Sequence, residues 1–520
     1  MTVKLDGIEL EILWSNVIGI VSEQAKALQR IAFSPIVREA GDLASALFDA
    51  RGRMVAQANT GTPGHINSLA AAGGHLHRLF AGKQSPGDVL ITNDPWISAG
   101  HFFDITLMTP IFRGDRLVGY VGSTIHHTDI GGYGIGAGAR DVHEEGLWIP
   151  PLKFHERGVP NATLHEIIRS NVRTPDHVFG DLAAQVSSGT AGGERLIAMC
   201  DRYGLEDIEA LSGEIIRRSE EATRAAIRKL KPGTYHGESQ FDVPGGEIIT
   251  LKTAVTIDAV AGEVLIDFAG SSGASTAGIN VVMNYTHAYS TFAIRSCLNP
   301  DLPNNHGSLA PIRISAPKGS IVNCEYPAPV NARHVVGMYV PMPILKALYH
   351  VMPERVLAEG AGAVWTMQIQ GKHDNGRAFT SSMFNYSGGM GARLTKPGPS
   401  ATCYPTGVAA VPVEILEAAM PIIFDRKELR LGSGGAGRAR GGDGQVIQFH
   451  MRTEYPWTLN AVPSRLGAGP EGLEGGMPGA GGHFRVNGKD VSEARKITLK
   501  PDDVVVLETP GGGGYGLPGG

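Results

Sequence analysis

Two neighbouring stretches set the reading of this chain: SPGDVLITNDPWISAGHFFDITLMTPIF, Ser85 to Phe112, and RLVGYVGSTIHHTDIGGYG, Arg116 to Gly134. Asp88 to Thr92 and Asp104 to Phe112 are short apolar runs separated by a polar loop, which predicts two strands. The run from Arg116 is a third strand that leads straight into His126-His127 and a glycine-rich loop. His101-Phe-Phe-Asp104 and His126-His127-Thr-Asp129 therefore each sit where a strand meets a loop. Neutral imidazole and carboxylate together suit a divalent cation such as zinc, manganese or iron. The H-x-x-D spacing lets two side chains converge at such a junction, and a pair from the neighbouring strand could complete three or four ligands. Asp42 or Asp94 offers a further carboxylate. The other reading is that these histidines cap strand ends and bond backbone carbonyls. Spacing alone leaves both open, because H-x-x-D is common by chance.

Around this core the chain divides by texture. From Ile8 to Ile31, Leu10, Leu13, Trp14, Val17, Ile18 and Val21 share one stripe at helical spacing, which predicts a helix with a buried face. Asp42 to Gln57 reads as a hairpin turning at Asp49-Ala50-Arg51-Gly52. A loop carrying His65 follows, then a helix of small residues. Leu205 to Leu230 is helical and is stopped by Lys231-Pro232-Gly233. From Gly233 the pattern alternates as strands, with helical stretches at Ser275 to Ser296 and Pro341 to Val351. After Ala401 the sequence is rich in strand formers and glycine. The expected architecture is α+β and multi-domain. An N-terminal α/β part with the metal site covers 1–232, a central mixed part covers 233–400, and a β-rich, glycine-rich part covers 401–520.

Composition narrows the function. With 42 % hydrophobic and 19 % charged residues, the 520-residue chain is not disordered. A net charge of −5 provides no basic field for nucleic acid or anionic lipid. No apolar run reaches the ~18 residues of a membrane span. The opening MTVKLDGIELEILW lacks the pattern of a signal peptide. Cys200, Cys297, Cys324 and Cys403 are far apart and form no CxxC pair, so a reduced, cytoplasmic protein is expected. None of the four has an activating local context and there is no G-x-S-x-G elbow, so nucleophilic catalysis has little support.

Glycine-rich GSGGAGRARGGDG (Gly432 to Gly444) and TPGGGGYG (Thr509 to Gly516) could cradle phosphate, with Arg438 and Arg440 as anion contacts. Neither matches GxxxxGK[ST], and tight turns with close packing are the favoured reading. In DFAGSSGASTAGIN (Asp267 to Asn280) and PAPVNARHVVG (Pro327 to Gly337), the polar Asn280, Asn331 and Arg333 punctuate apolar runs. They shape either a substrate or partner surface or hydrogen bonds between domains.

These segments, with DLASALFDARGRMVAQ, EEGLWIPPLK and NVRTPDHVFGDLAAQ, give the chain a resemblance to the hydantoinase B family over almost its whole length. The resemblance implies a component that carries one divalent metal ion (zinc, manganese or iron). It also implies a hydantoinase A-type partner that binds and uses ATP, in an (AB)2 heterotetramer. The implied reaction is ATP-dependent hydrolysis of a small cyclic amide: hydantoin, 5-oxoproline or a related lactam. Carried over, the metal ligands fall on Asp42, His101, Asp104 and His126, with the choice between His126 and His127 open. His127 and Asp129 would shuttle protons or orient the attacking water. DLAS stands where the family commonly has DFSC, and the chain is short for the family. Two other roles compete: the α-type component of an ATP-dependent ketone carboxylase, and a non-catalytic scaffold for the A-type partner.

Overall fold

The computed structural model describes residues 7–59, 62–362, 364–492 and 496–519. The N-terminal apolar stripe folds as the helix Gly7–Ile31, burying Leu10, Leu13, Trp14, Val17 and Val21, with Ile20 in the core and Ile18 only half-buried. Its partner is a seven-stranded sheet ordered Met54–Gln57, Leu43–Asp49, Arg116–His126, Asp104–Arg113, Val89–Thr92, Leu152–Glu156, Val159–Pro160. All neighbours in this sheet run antiparallel. Alternation along the strands supplies two apolar faces. Leu43, Leu47, Val121 and Ile125 pack under Gly7–Ile31 and the helix Pro175–Arg202. Ala44, Ala46, Phe48 and Tyr120 face the helix Pro63–Phe80 on the other side.

His65 lies inside that last helix, not in the loop expected for it. Thr62 caps the helix by accepting a hydrogen bond from the Gly64 N–H at 3.2 Å, and Pro63 is preset for the first turn.

A four-stranded sheet follows, beginning at Gly233–Asp242, next to Ile248–Asp258 and Glu263–Asp267, with Ile312–Ser315 added in parallel at the edge. Its alternating buried residues (Ile249, Leu251, Val255, Ile257) share a core with the helices Met283–Leu298 and Pro341–Tyr349. The helix expected from Ser275 starts only at Met283. The Asn280 side chain instead ties down the preceding loop, donating to the carbonyls of Ser275, Ala277 and Pro329 and accepting from the Ser275 N–H.

Strands from either side of residue 400 meet in one sheet, because Val364–Lys372 pairs with Ala378–Ser387 and also with Trp457–Ala461. A five-stranded sheet built on Gly444–Met451 and Val505–Glu508 closes the far side over Trp365, Ile369, Phe449 and Leu507. The glycine-rich segments meet beside it as bare backbone. The Gly512 N–H donates to the Gly442 carbonyl at 2.9 Å, and a Cβ on Gly512 would lie 2.1 Å from the Met390 carbonyl oxygen. Close approach is therefore what demands glycine here. Arg440 is engaged by Asp443 at 2.6 Å within this packing. No helix among the described residues is long and apolar enough to cross a membrane.

Candidate metal centre

Asp104 and His126 are direct partners across two antiparallel strands, so their side chains leave the same face at the end of the sheet. The adjacent strand brings Asp42 alongside, and its carbonyl accepts the His126 N–H at 3.2 Å. His101 reaches in from the loop before Asp104. That loop turns at Gly100, where φ is +89° and a Cβ would press within 2.7 Å of Arg333 Cδ. One candidate ligand atom from each of His101, Asp104 and His126 lies within 4.8 Å of the others, all three residues being buried.

The contacts in this group are short. His126 Nδ1 is 2.9 Å and His101 Nε2 is 2.8 Å from Asp104 Oδ1. His65 Nε2 is 2.8 Å from the other oxygen, Asp104 Oδ2, which also takes the Arg333 guanidinium. His101 Nδ1 lies 2.9 Å from the Asn331 carbonyl oxygen, which only accepts, so Nδ1 carries the proton. Burial, then the Arg333 charge, brings the His101 imidazole down to about 4, leaving it neutral near pH 7 with its lone pair on Nε2. That nitrogen has no hydrogen-bond partner, although it sits against a carboxylate oxygen. Burial alone would raise Asp104, but in acid, where His101 is itself protonated, His101, His65 and Arg333 outweigh it and hold the carboxyl well below its usual range. Two acceptors thus face each other at contact distance, which is the electrostatic situation a cation relieves. A histidine bonded through its other nitrogen to a backbone carbonyl is also the usual posture of a metal ligand. The residues present fit a divalent cation on these grounds.

Asp42 lines the same cavity but lies outside the three-residue group. Its Oδ1 is 3.4 Å from His65 Nδ1. Burial lowers His65, and the Asp104 and Asp42 charges more than reverse this, holding the imidazole above its ordinary value. The structure does not bring His127 or Asp129 into the cavity. His127 is one residue beyond His126 and points to the opposite side, toward Asp181 and Gln185, where burial brings it down to about 4. Asp129 is a buried anchor, accepting from the Arg173 side chain at 2.8 Å, from the Gly131 N–H at 3.1 Å and from the Arg173 backbone N–H. Asp94 is spent locally, accepting the Trp96 N–H at 2.9 Å.

The centre has a support beyond the expected ligands. Arg333 donates to Asp104 and, at 2.5 Å, to the Ala99 carbonyl, and its guanidinium carbon lies 4.1 Å from the Tyr285 ring centroid. Glu145 Oε1 accepts the Val330 and Asn331 N–H groups, each at 2.7 Å, fixing the turn whose carbonyl orients His101. The polar punctuation of PAPVNARHVVG is the sequence signal for Arg333, whereas Glu145 lies in EEGLWIPPLK, where its spacing gives it no role.

The hydantoinase B/oxoprolinase family profile matches residues 6–518. The chain belongs to that family. Along 99 % of its length, the chain is 29 % identical to the B-type component of a putative D-/L-hydantoinase from a Pseudomonas species, spanning 90 % of that protein. Among solved structures, an ATP-dependent caprolactamase from Pseudomonas jessenii superposes with a TM-score of 0.88 at 24 % identity, over 99 % of this chain and 91 % of that one. A nucleotide-free acetone carboxylase gives 0.89 at 20 % identity, over 98 % and 76 %. At these identities the two structures show a shared fold. The four cysteines are buried and free, and burial pushes the thiols of Cys297 and Cys403 up to about 11, which leaves them inert.

Proposed function

We propose that this chain is the metal-bearing B-type component of an ATP-dependent cyclic amide hydrolase, acting with an A-type partner that activates the ring with ATP. The observation that carries this reading is the bare His101 Nε2 lone pair held 2.8 Å from Asp104 Oδ1. Family membership supplies the reaction class, and the Pseudomonas relative, named as one component of a hydantoinase, supports the partner. His101, Asp104 and His126 would hold the cation, with Asp42 and His65 beside them. A divalent cation in such a site supplies a water whose pKa is lowered to about 7 and polarises a carbonyl oxygen. Arg333 fixes Asp104, and the Asn331 carbonyl fixes the His101 tautomer. Ile135, Met338, Val364 and Val408 supply an apolar part of the cavity lining, which helps to keep bulk water from the ring. His127 and Asp129 act here as structural anchors of the strand end and its loop.

Co-expression with an A-type chain, followed by turnover of hydantoin, 5-oxoproline and caprolactam, tests the proposal. ATP-dependent ring opening of at least one is expected. Turnover of a ketone that requires bicarbonate, with no ring opened, would assign the chain to carboxylation instead.

A further inference from the structure

His334 follows Arg333 directly and opens the helical turn His334–Gly337. Because Arg333 is clamped to Asp104 and Ala99, the backbone of His334 is fixed relative to the metal centre. The side chain is 7 % exposed and lines the same cavity as Asp42, His101 and His126. It stands outside the three-residue cation group. Its Nε2 is buried and has no hydrogen-bond partner among the described residues. Burial, then the Arg333 charge, holds the imidazole well below its ordinary value, so near pH 7 it is neutral and has one N–H and one lone pair. Leaving a buried polar atom unpaired is costly, which favours a ligand or water atom against it. Around it the cavity is mostly apolar, and the nearby Arg333 is already committed.

Resting on the hydrolase reading above, we propose that His334 is a catalytic residue, the proton carrier of ring opening. On the O-phosphorylated ring it accepts a proton from the attacking water as the new C–O bond forms and the C=N π pair passes to nitrogen, and it delivers that proton to the nitrogen. It then carries the hydroxyl proton of the tetrahedral adduct to the same nitrogen as the C–N bond breaks, the bond pair passing to nitrogen and a carbonyl re-forming, which leaves a neutral amine and an acyl phosphate. A second water releases phosphate from the acyl phosphate, so the imidazole ends neutral and ATP is the only co-reactant besides water.

The test uses the complex with its A-type partner, ATP, and hydantoin or caprolactam as probe. H334A and H334N should lower kcat about 100-fold or more, the size of a lost proton-transfer group. KM and metal content should stay close to wild type, and free imidazole should restore part of the H334A rate. Either variant keeping the wild-type kcat would overturn the proposal. So would metal loss in step with activity, or failure of imidazole to restore any rate. A wild-type complex that opens no ring overturns the hydrolase reading itself, and this inference with it.

Discussion

His101 Nε2 stands 2.8 Å from Asp104 Oδ1 with no proton between them, because the Asn331 carbonyl has claimed the proton on Nδ1. Such a contact is repulsive as it stands and favourable once a cation lies within reach of both atoms.

The register of the two strands separates His126 from His127. His126→Ala should remove the metal and lower ring opening by about 100-fold or more. His127→Ala should retain the metal and turnover, while losing ~2 kcal/mol of stability from the cavity left beneath helix Pro175–Arg202. Metal analysis and thermal unfolding of the two variants check this. Metal loss in the His127 variant alone would reverse the assignment.

Arg333 compensates the buried Asp104. Arg333→Ala should destabilise the protein by about 3 kcal/mol, since it leaves a desolvated carboxylate short of its partner. Arg333→Lys should fall between, because an ammonium lacks the fork that reaches both Asp104 and the Ala99 carbonyl. Denaturant unfolding ranks the three proteins. Equal midpoints would show that Arg333 carries no such load.

Glu145 introduces a pH dependence. Burial pushes its carboxyl from 4.5 up to about 8, against the pull of the Asn331 and Val330 N–H groups. The unfolded chain gives up this proton near 4.5 while the folded chain keeps it until about 8. The stabilisation is therefore full below 4.5, falls across that window, and is lost above 8. Glu145→Gln cannot titrate, so its melting temperature should drop less than that of the wild type between about pH 5 and pH 8. Parallel pH profiles would contradict this.

Much of the centre is legible in the sequence because it is local. Asp104 opens and His126 closes strands that read as short apolar runs beside loops, and His101 is three residues from Asp104. The helix Gly7–Ile31 and the hairpin over Leu43–Gln57 are equally plain from apolar spacing and a turn. Arg333 and Glu145 are not legible, because their partners lie 229 and 186 residues away and no periodic pattern encodes such contacts. The Gly and Pro around His65 read as breakers and suggest a loop, whereas Thr62-Pro63 in fact starts a helix. The pairing of strands on either side of residue 400 is a long-range contact that no local texture change encodes. The favoured reading of the glycine segments, close packing, agrees with the contacts between Gly442 and Gly512, whose backbones leave no room for a side chain.

The cation is the central claim, and the most direct measurement is the metal content of the purified protein beside that of Asp104→Asn. About one divalent ion per chain is expected in the wild type and a large loss in the variant, with ring opening lost in parallel. A metal-free wild-type protein that opens rings at full rate with its partner would contradict it.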